Sequence, residues 1–197
     1  MIRIASYSVT VAAFAAALCV SGVALAQTAK KPAAAAAQPA KPAAAAPAQA
    51  GSQPATRGTF GNWGAFASDT PKGRVCYALS QPKERLPANL TRDPAYLFIS
   101  TRPSENVRNE VSFVLGFPPK DGADGQLTVG KANYAMKTQG PTAWLKNPGD
   151  DAALVELLKK TPAASLKITS KRGNLLTDNY VTNGFAQALE QVKKACP

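Results

Sequence analysis

The chain has 197 residues, a formal net charge of +11 from 23 Lys and Arg against 12 Asp and Glu, and no histidine. The missing imidazole takes away the usual base for a serine or cysteine nucleophile and the commonest metal ligand. Five of the basic residues, Arg3, Lys30, Lys31, Lys41 and Arg57, fall before Gly58, leaving 18 against 12, or +6, for the remainder. That charge is moderate and mostly scattered singly, with only Lys159-Lys160, Lys171-Arg172 and Lys193-Lys194 in pairs, which argues against nucleic-acid binding and fits attraction to anionic envelope polymers or lipid head groups.

Residues 1–26 have the layout of a secretory signal peptide. Arg3 supplies a short positive start, Val9 to Val23 is mostly apolar, and Ala24-Leu25-Ala26 places small residues where a leader peptidase reads them. An uncleaved anchor is the alternative, but a spanning helix wants about 20 strongly apolar residues, and Ser6, Tyr7, Ser8 and Thr10 dilute this one. Lipidation at Cys19 is disfavoured by the Leu18 before it. No later stretch is long or apolar enough to span a membrane, so the mature chain is expected to be soluble, periplasmic or secreted.

Residues 27–57 are mostly Ala, Pro, Lys, Gln and Thr, with no acidic or aromatic side chain. Such a segment cannot bury enough apolar area to offset the entropy of ordering it. Pro32, Pro39, Pro42 and Pro47 interrupt its alanine runs before a helix can propagate. It reads as a disordered linker, either a spacer or a permissive tail.

Residues 58–197 have the size of one domain. Short runs with period-2 alternation read as strands: Trp63 to Ala67, Val75 to Ser80, Tyr96 to Thr101, Glu110 to Leu115, Gln126 to Val129, Ala132 to Thr138, Ala143 to Leu145, Ser165 to Ser170 and Leu175 to Tyr180. Gly, Pro, Asn and Asp clusters separate them, as in a sandwich or barrel. Lys171-Arg172-Gly173-Asn174 is a hairpin turn between the last two strands. Two segments have helical periodicity instead. Asp150 or Asp151 is positioned to cap a helix reaching Lys160 through Leu154, Leu157 and Leu158. The second opens at Asn183 or Gly184, and its apolar stripe is Phe185, Ala188, Leu189, Val192 and Cys196.

With Cys19 in the leader, the mature chain keeps Cys76 and Cys196. An exported protein meets oxidising conditions, so a disulfide between them is expected, stapling the final helix to the sheet. A thiol nucleophile or a metal site is the weaker reading without histidine. The acid pairs Asp121/Asp124 and Asp150/Asp151 lie where turn formation and helix capping account for them. Gly58, Gly61 and Gly64 lack the strand and helix context of a dinucleotide loop. Trp63, Tyr77, Tyr134, Trp144 and Tyr180 are candidates for a ligand face, although strand aromatics more often fill the core. Neither a cofactor nor a bound metal is expected.

Phe60-Gly61-Asn62-Trp63, Val75-Cys76-Tyr77-Ala78-Leu79, the stretch from Arg92 to Pro103, Asn109-Glu110-Val111-Ser112, Ala143-Trp144, and Gly184-Phe185 with Ala188-Leu189 and Cys196 together resemble the invasion-associated locus B family. The resemblance runs from Gly58 to Cys196. It implies an exported protein of Gram-negative bacteria, an immunoglobulin-like β-sandwich and no known enzymatic activity. Some family members carry another cysteine soon after the tryptophan, whereas residues 64–72 contain none here.

The expectation is therefore a non-enzymatic exported envelope protein that binds a protein or anionic polymer partner and aids host-cell association. The alternative is a periplasmic structural or stress-protective factor without a host role. Arg102 and Arg108, flanking the loop from Thr101 to Asn109, are nominated as partner-binding anchors; the alternative is that they pair with Glu105 and Glu110 to shape that loop. Cleavage after Ala26 is expected to leave Gln27 as the first residue of exported protein. N-terminal sequencing checks this, and a mature form retaining Cys19 with added lipid mass would overturn it.

Overall fold

The computed structural model describes residues 53–197. The expected leader, and the linker as far as residue 52, lie outside the described residues. Eleven strands form one antiparallel sheet: β1 (Ala55–Phe60), β2 (Trp63–Thr70), β3 (Gly73–Ser80), β4 (Glu84–Leu86), β5 (Tyr96–Arg102), β6 (Val107–Val114), β7 (Gly125–Val129), β8 (Ala132–Gln139), β9 (Thr142–Leu145), β10 (Ala163–Thr169) and β11 (Leu175–Val181). Two helices complete the fold, α1 (Asp151–Leu158) and α2 (Phe185–Ala195). The spatial order is β1-β2-β3-β5-β6-β9-β8-β7-β10-β11-β4.

Every strand expected from alternation is present, with its ends moved by up to three residues. Two strands went unpredicted. β1 opens at Ala55, so residues 55–57 belong to the sheet and not to the linker. It is the edge strand, pairs only with β2, and carries a register shift between Thr56 and Gly58. β4 is three residues long and pairs with β11 at the other edge.

The sheet folds over so that one face becomes the core. Alternate residues point inward along the central strands: Trp63, Ala65 and Ala67 on β2, Leu97 and Ile99 on β5, Val111 and Phe113 on β6, Leu166 and Ile168 on β10. Phe113 and Tyr180 belong to strands five places apart in the sheet order, yet their rings meet edge to face at 5.5 Å. The result is the expected mainly β, sandwich-like architecture with two short helices, its strands hydrogen-bonded into one continuous sheet.

Closure is made where the first hairpin meets the last strand. Trp63 Nε1 donates to the Val181 carbonyl at 3.0 Å, and the Trp63 ring packs on Phe185, centroids 4.6 Å apart. Asn62 N donates to Asn183 O at 3.1 Å. Gly184 sits at φ +90°, and a Cβ there would run into the Phe60 carbonyl, so backbone contact permits no side chain. Phe185, Ala188, Leu189 and Val192 of α2 are buried in the same core.

Cys76 of β3 and Cys196, just beyond α2, form a disulfide across 120 residues with Cα atoms 6.0 Å apart. Constraining so long a loop in the unfolded chain contributes about 4–5 kcal/mol in the chain-entropy account. Reduction, or Cys196→Ser, is expected to lower unfolding free energy by an amount of that order. Amide exchange should show α2 opening first; α2 amides as protected as those of β5 in the reduced protein would refute the staple role.

Candidate interaction face

The outer side of the sheet is as patterned as the inner one. On β2, β3 and β5 the residues opposite in phase to the core are Phe66, Tyr77, Tyr96 and Phe98, all half-buried. Phe66 is directly across from Tyr77, and their rings stack at 5.3 Å with 20° between planes. Tyr77 meets Phe98 at 5.5 Å, and Phe98 meets Tyr96 at 6.1 Å, both tilted. Because these rings shelter one another, burial raises the Tyr77 pKa above the usual phenol value. Among the described residues no helix lies on this row, since α1 and α2 both bury their apolar residues in the core on the other side.

Further along the same face the chemistry becomes polar. Phe98 registers with Ser112, Ser112 with Trp144, and Trp144 with Lys137. The next row places Ser100 beside Glu110. A strip of rings on three strands thus runs into a mixed polar surface on β6, β9 and β8.

Arg102 stands at the end of that strip. Its Nε donates to Glu105 at 2.7 Å, and its Nη1 and Nη2 donate to Glu110 at 2.8 and 3.2 Å. Glu110 holds its proton affinity well above the usual guanidinium value, with burial opposing. Arg102 therefore shapes the turn at Pro103–Glu105, where Asn106 adopts φ +54°. Arg108 touches neither glutamate. It donates to the carbonyls of Cys196 at 3.1 Å and Pro197 at 2.8 Å, holding the segment after α2 against β6. The two arginines nominated from sequence thus have different jobs in the fold, and only Arg102 adjoins the aromatic strip through Glu110.

Of the five aromatics nominated from sequence, Trp63 and Tyr180 are fully buried and Tyr134 packs on the core from its edge. The Tyr180 hydroxyl lies in the interior without a hydrogen-bond partner, and burial with the nearby Asp178 charge pushes its ionisation far above the ordinary range. Tyr77 and Trp144 are on the outer face. Phe66, Tyr96 and Phe98 escaped sequence reading, although their phase, opposite to Ala65, Ala67, Leu97 and Ile99, was the available signal.

Asp151 is the one carboxyl at this surface that is strongly perturbed. Its Oδ1 accepts from Val111 N at 3.2 Å, at the point where β9 stops pairing with β6. This differs from the expected helix cap: Asp150 occupies the N-cap position without a side-chain capping bond, and Asp151 serves the strand instead. Burial raises the Asp151 pKa to about 6, against the lowering from the Val111 amide, and the Glu110 and Asp150 charges add to the rise. A raised acid in a cleft of about 220 Å³ with Trp144 and Lys137 is a pattern seen at catalytic sites. Here its neighbour Glu110 is held by Arg102 through two hydrogen bonds. Among the described residues no three His, Cys, Asp or Glu come together to hold a metal, and no helix is long and apolar enough to cross a membrane.

No protein-family model and no curated protein matches this chain. Among solved structures, the crystal structure of invasion associated protein B from Bartonella henselae is similar to it, at 18% sequence identity and a TM-score of 0.49, over 71% of this chain and 96% of that one.

The Asp151 shift has a defined sign. A carboxyl whose pKa is higher folded than unfolded binds the extra proton in the native state, so its ionisation costs stability as pH rises through about 6. Asp151→Asn keeps an oxygen for the Val111 amide and removes the charge. It is expected to stabilise the domain at pH 7.5 by about 1 kcal/mol, after discounting for a half-exposed group, and to have a much smaller effect at pH 4, near the bottom of the window between the unfolded and folded pKa. Denaturant titrations at the two pH values check this; equal effects at both would show that charge is not the cause.

Proposed function

We propose that the domain is a non-enzymatic binding module of the bacterial cell envelope, exported and held together by its disulfide, which engages a protein or polymer partner through the outer face of β2, β3 and β5. The observation that carries this reading is the strip Phe66, Tyr77, Phe98 and Tyr96, an aromatic row on a sheet face that no described helix covers. Aromatic side chains are enriched where one protein surface meets another, and contiguous apolar surface of this kind marks interaction sites. The leader-like start, the disulfide and the sequence resemblance to the invasion-associated locus B family support export and an envelope role. Association with host cells is the finer form of the same reading.

The face is built to be firm. Its rings pack on each other over a sheet with a filled core beneath, so little ordering entropy is lost when a partner arrives. Arg102 and Glu110 at the end of the strip set a polar rim, and the net +6 of the domain assists encounter with anionic partners.

Capture of partners from envelope fractions with the full chain, at low and high salt, tests this. Tyr96→Ala combined with Phe98→Ala is expected to abolish recovery at both salt concentrations, Arg102→Ala to weaken it, and Arg108→Ala to leave it unchanged while lowering thermal stability. Undiminished recovery with a folded Tyr96→Ala/Phe98→Ala variant would rule out the face. Loss of all recovery at high salt for the unmodified chain would rule out a specific interface, because screening shortens the Debye length from about 10 Å at 0.1 M to about 3 Å at 1 M.

A further inference from the structure

Away from the aromatic strip, a buried charge cluster closes the end of the sandwich near β4. Asp178 on β11 is 3% exposed, and its Oδ1 accepts from Arg85 Nε and Arg92 Nη1, both at 3.0 Å. Arg85 uses its other nitrogens fully, donating to Asp93 O at 2.7 Å and Leu115 O at 2.9 Å. Arg92 does not. Its side chain is only 5% exposed, its Nη2 reaches Pro87 O at a long 3.4 Å, and its buried Nε has no partner.

Two guanidinium groups on one carboxylate leave positive charge uncompensated in the interior, and a buried donor without an acceptor is costly. The least satisfied part of Arg92 is the edge formed by Nε, which has no partner, and Nη2, which has one long bond; it is one of the edges with which a guanidinium takes a carboxylate through two parallel hydrogen bonds. Arg92 lines a cleft of about 240 Å³ whose walls include Leu90, Phe117 and Leu176 as well as Ser170 and Arg172. Arg172 is exposed at the β10–β11 turn and makes no ion pair among the described residues. Asp93 is the one carboxylate in the lining; counted with Asp178 behind it against Arg85, Arg92 and Arg172, the local balance is +1.

We infer that this cleft binds a small organic carboxylate with an apolar body. The carboxylate seats on the Nε and Nη2 edge of Arg92 with Arg172 at the mouth, and the body lies against Leu90, Phe117 and Leu176. Its size suits a molecule of a few carbons rather than a folded partner, and it shares no residue with the aromatic strip, so either site can fail without the other.

Hexanoate titrated into the full chain with its disulfide intact, followed by amide resonances, tests the assignment. Saturable shifts at Ser170, Asn174 and Leu176 are expected. Arg172→Gln, a change at an exposed turn, should weaken the apparent Kd about tenfold, roughly what one charge-assisted hydrogen bond contributes. Arg92→Lys, which keeps a cation for Asp178 and removes the bidentate edge, should weaken it at least as much. Hexanol should give no saturable shift, and inorganic phosphate only a weaker one. Absence of saturable hexanoate shifts, equal shifts with hexanol, tighter binding of phosphate, or an affinity untouched by Arg172→Gln would each overturn the proposal.

Discussion

The architecture hangs on the junction between the β1–β2 turn and the start of α2. A folded-over sheet has two free margins and gains its core only when they are brought together. Trp63 does this twice, through its indole N–H on the Val181 carbonyl and through its ring on Phe185. The backbone approach at Phe60 and Gly184 is so close that no side chain fits between them. Fixing this junction places α2 over β1, β2 and β3, which brings Cys196 to Cys76. The disulfide is in this sense a consequence of the junction; it then restricts the unfolded chain, whereas the junction specifies the folded one.

The aromatic strip depends on the same closure by a different route. With the inner residues of β2, β3 and β5 committed to the core, the intervening positions must face outward, and the antiparallel register lines them up across three strands. A one-residue slip in register would exchange the two faces entirely. The small inward residues Ala65, Ala67 and Ala78 on β2 and β3 leave room for Phe185 and Leu189 of α2, so apart from Trp63 the aromatic bulk on these strands lies outside.

How much of this was legible in the sequence follows from where each determinant sits. Strands such as Glu110 to Leu115 announce themselves because alternation is local, and α2 because Phe185, Ala188, Leu189 and Val192 recur at helical spacing. β1 did not, since Ala55, Thr56 and Arg57 are exposed and only pairing with β2 makes them a strand. β4 exists because it pairs with β11 and Arg85 reaches Asp178, 93 residues away. The Arg85–Asp178–Arg92 cluster has no local signature at all. The choice between Asp150 and Asp151 as the helix cap stayed open for a similar reason: Asp150 takes the N-cap position, and the donor that engages Asp151, Val111 N, is 40 residues distant. On the outer face, the pairing of Arg102 with Glu105 and Glu110 was legible as one of its two readings, and Tyr77 and Trp144 as outward aromatics; the shared face of the rings was not, because it depends on which strands are neighbours.

The sequence distance spanned by the closing contacts has a consequence for biogenesis. The Trp63 hydrogen bond links residues 118 apart and the disulfide links residues 120 apart. A chain emerging amino end first, from a ribosome or from a membrane channel, holds β1, β2 and β3 long before their partners arrive, and such non-local topologies fold slowly. Throughout that interval Cys76 is an unpaired thiol and the inner surface of the first hairpin is wet. Completion waits for α2 and Cys196, so the polypeptide is exposed to proteases and to mispairing with other thiols until that segment has been delivered.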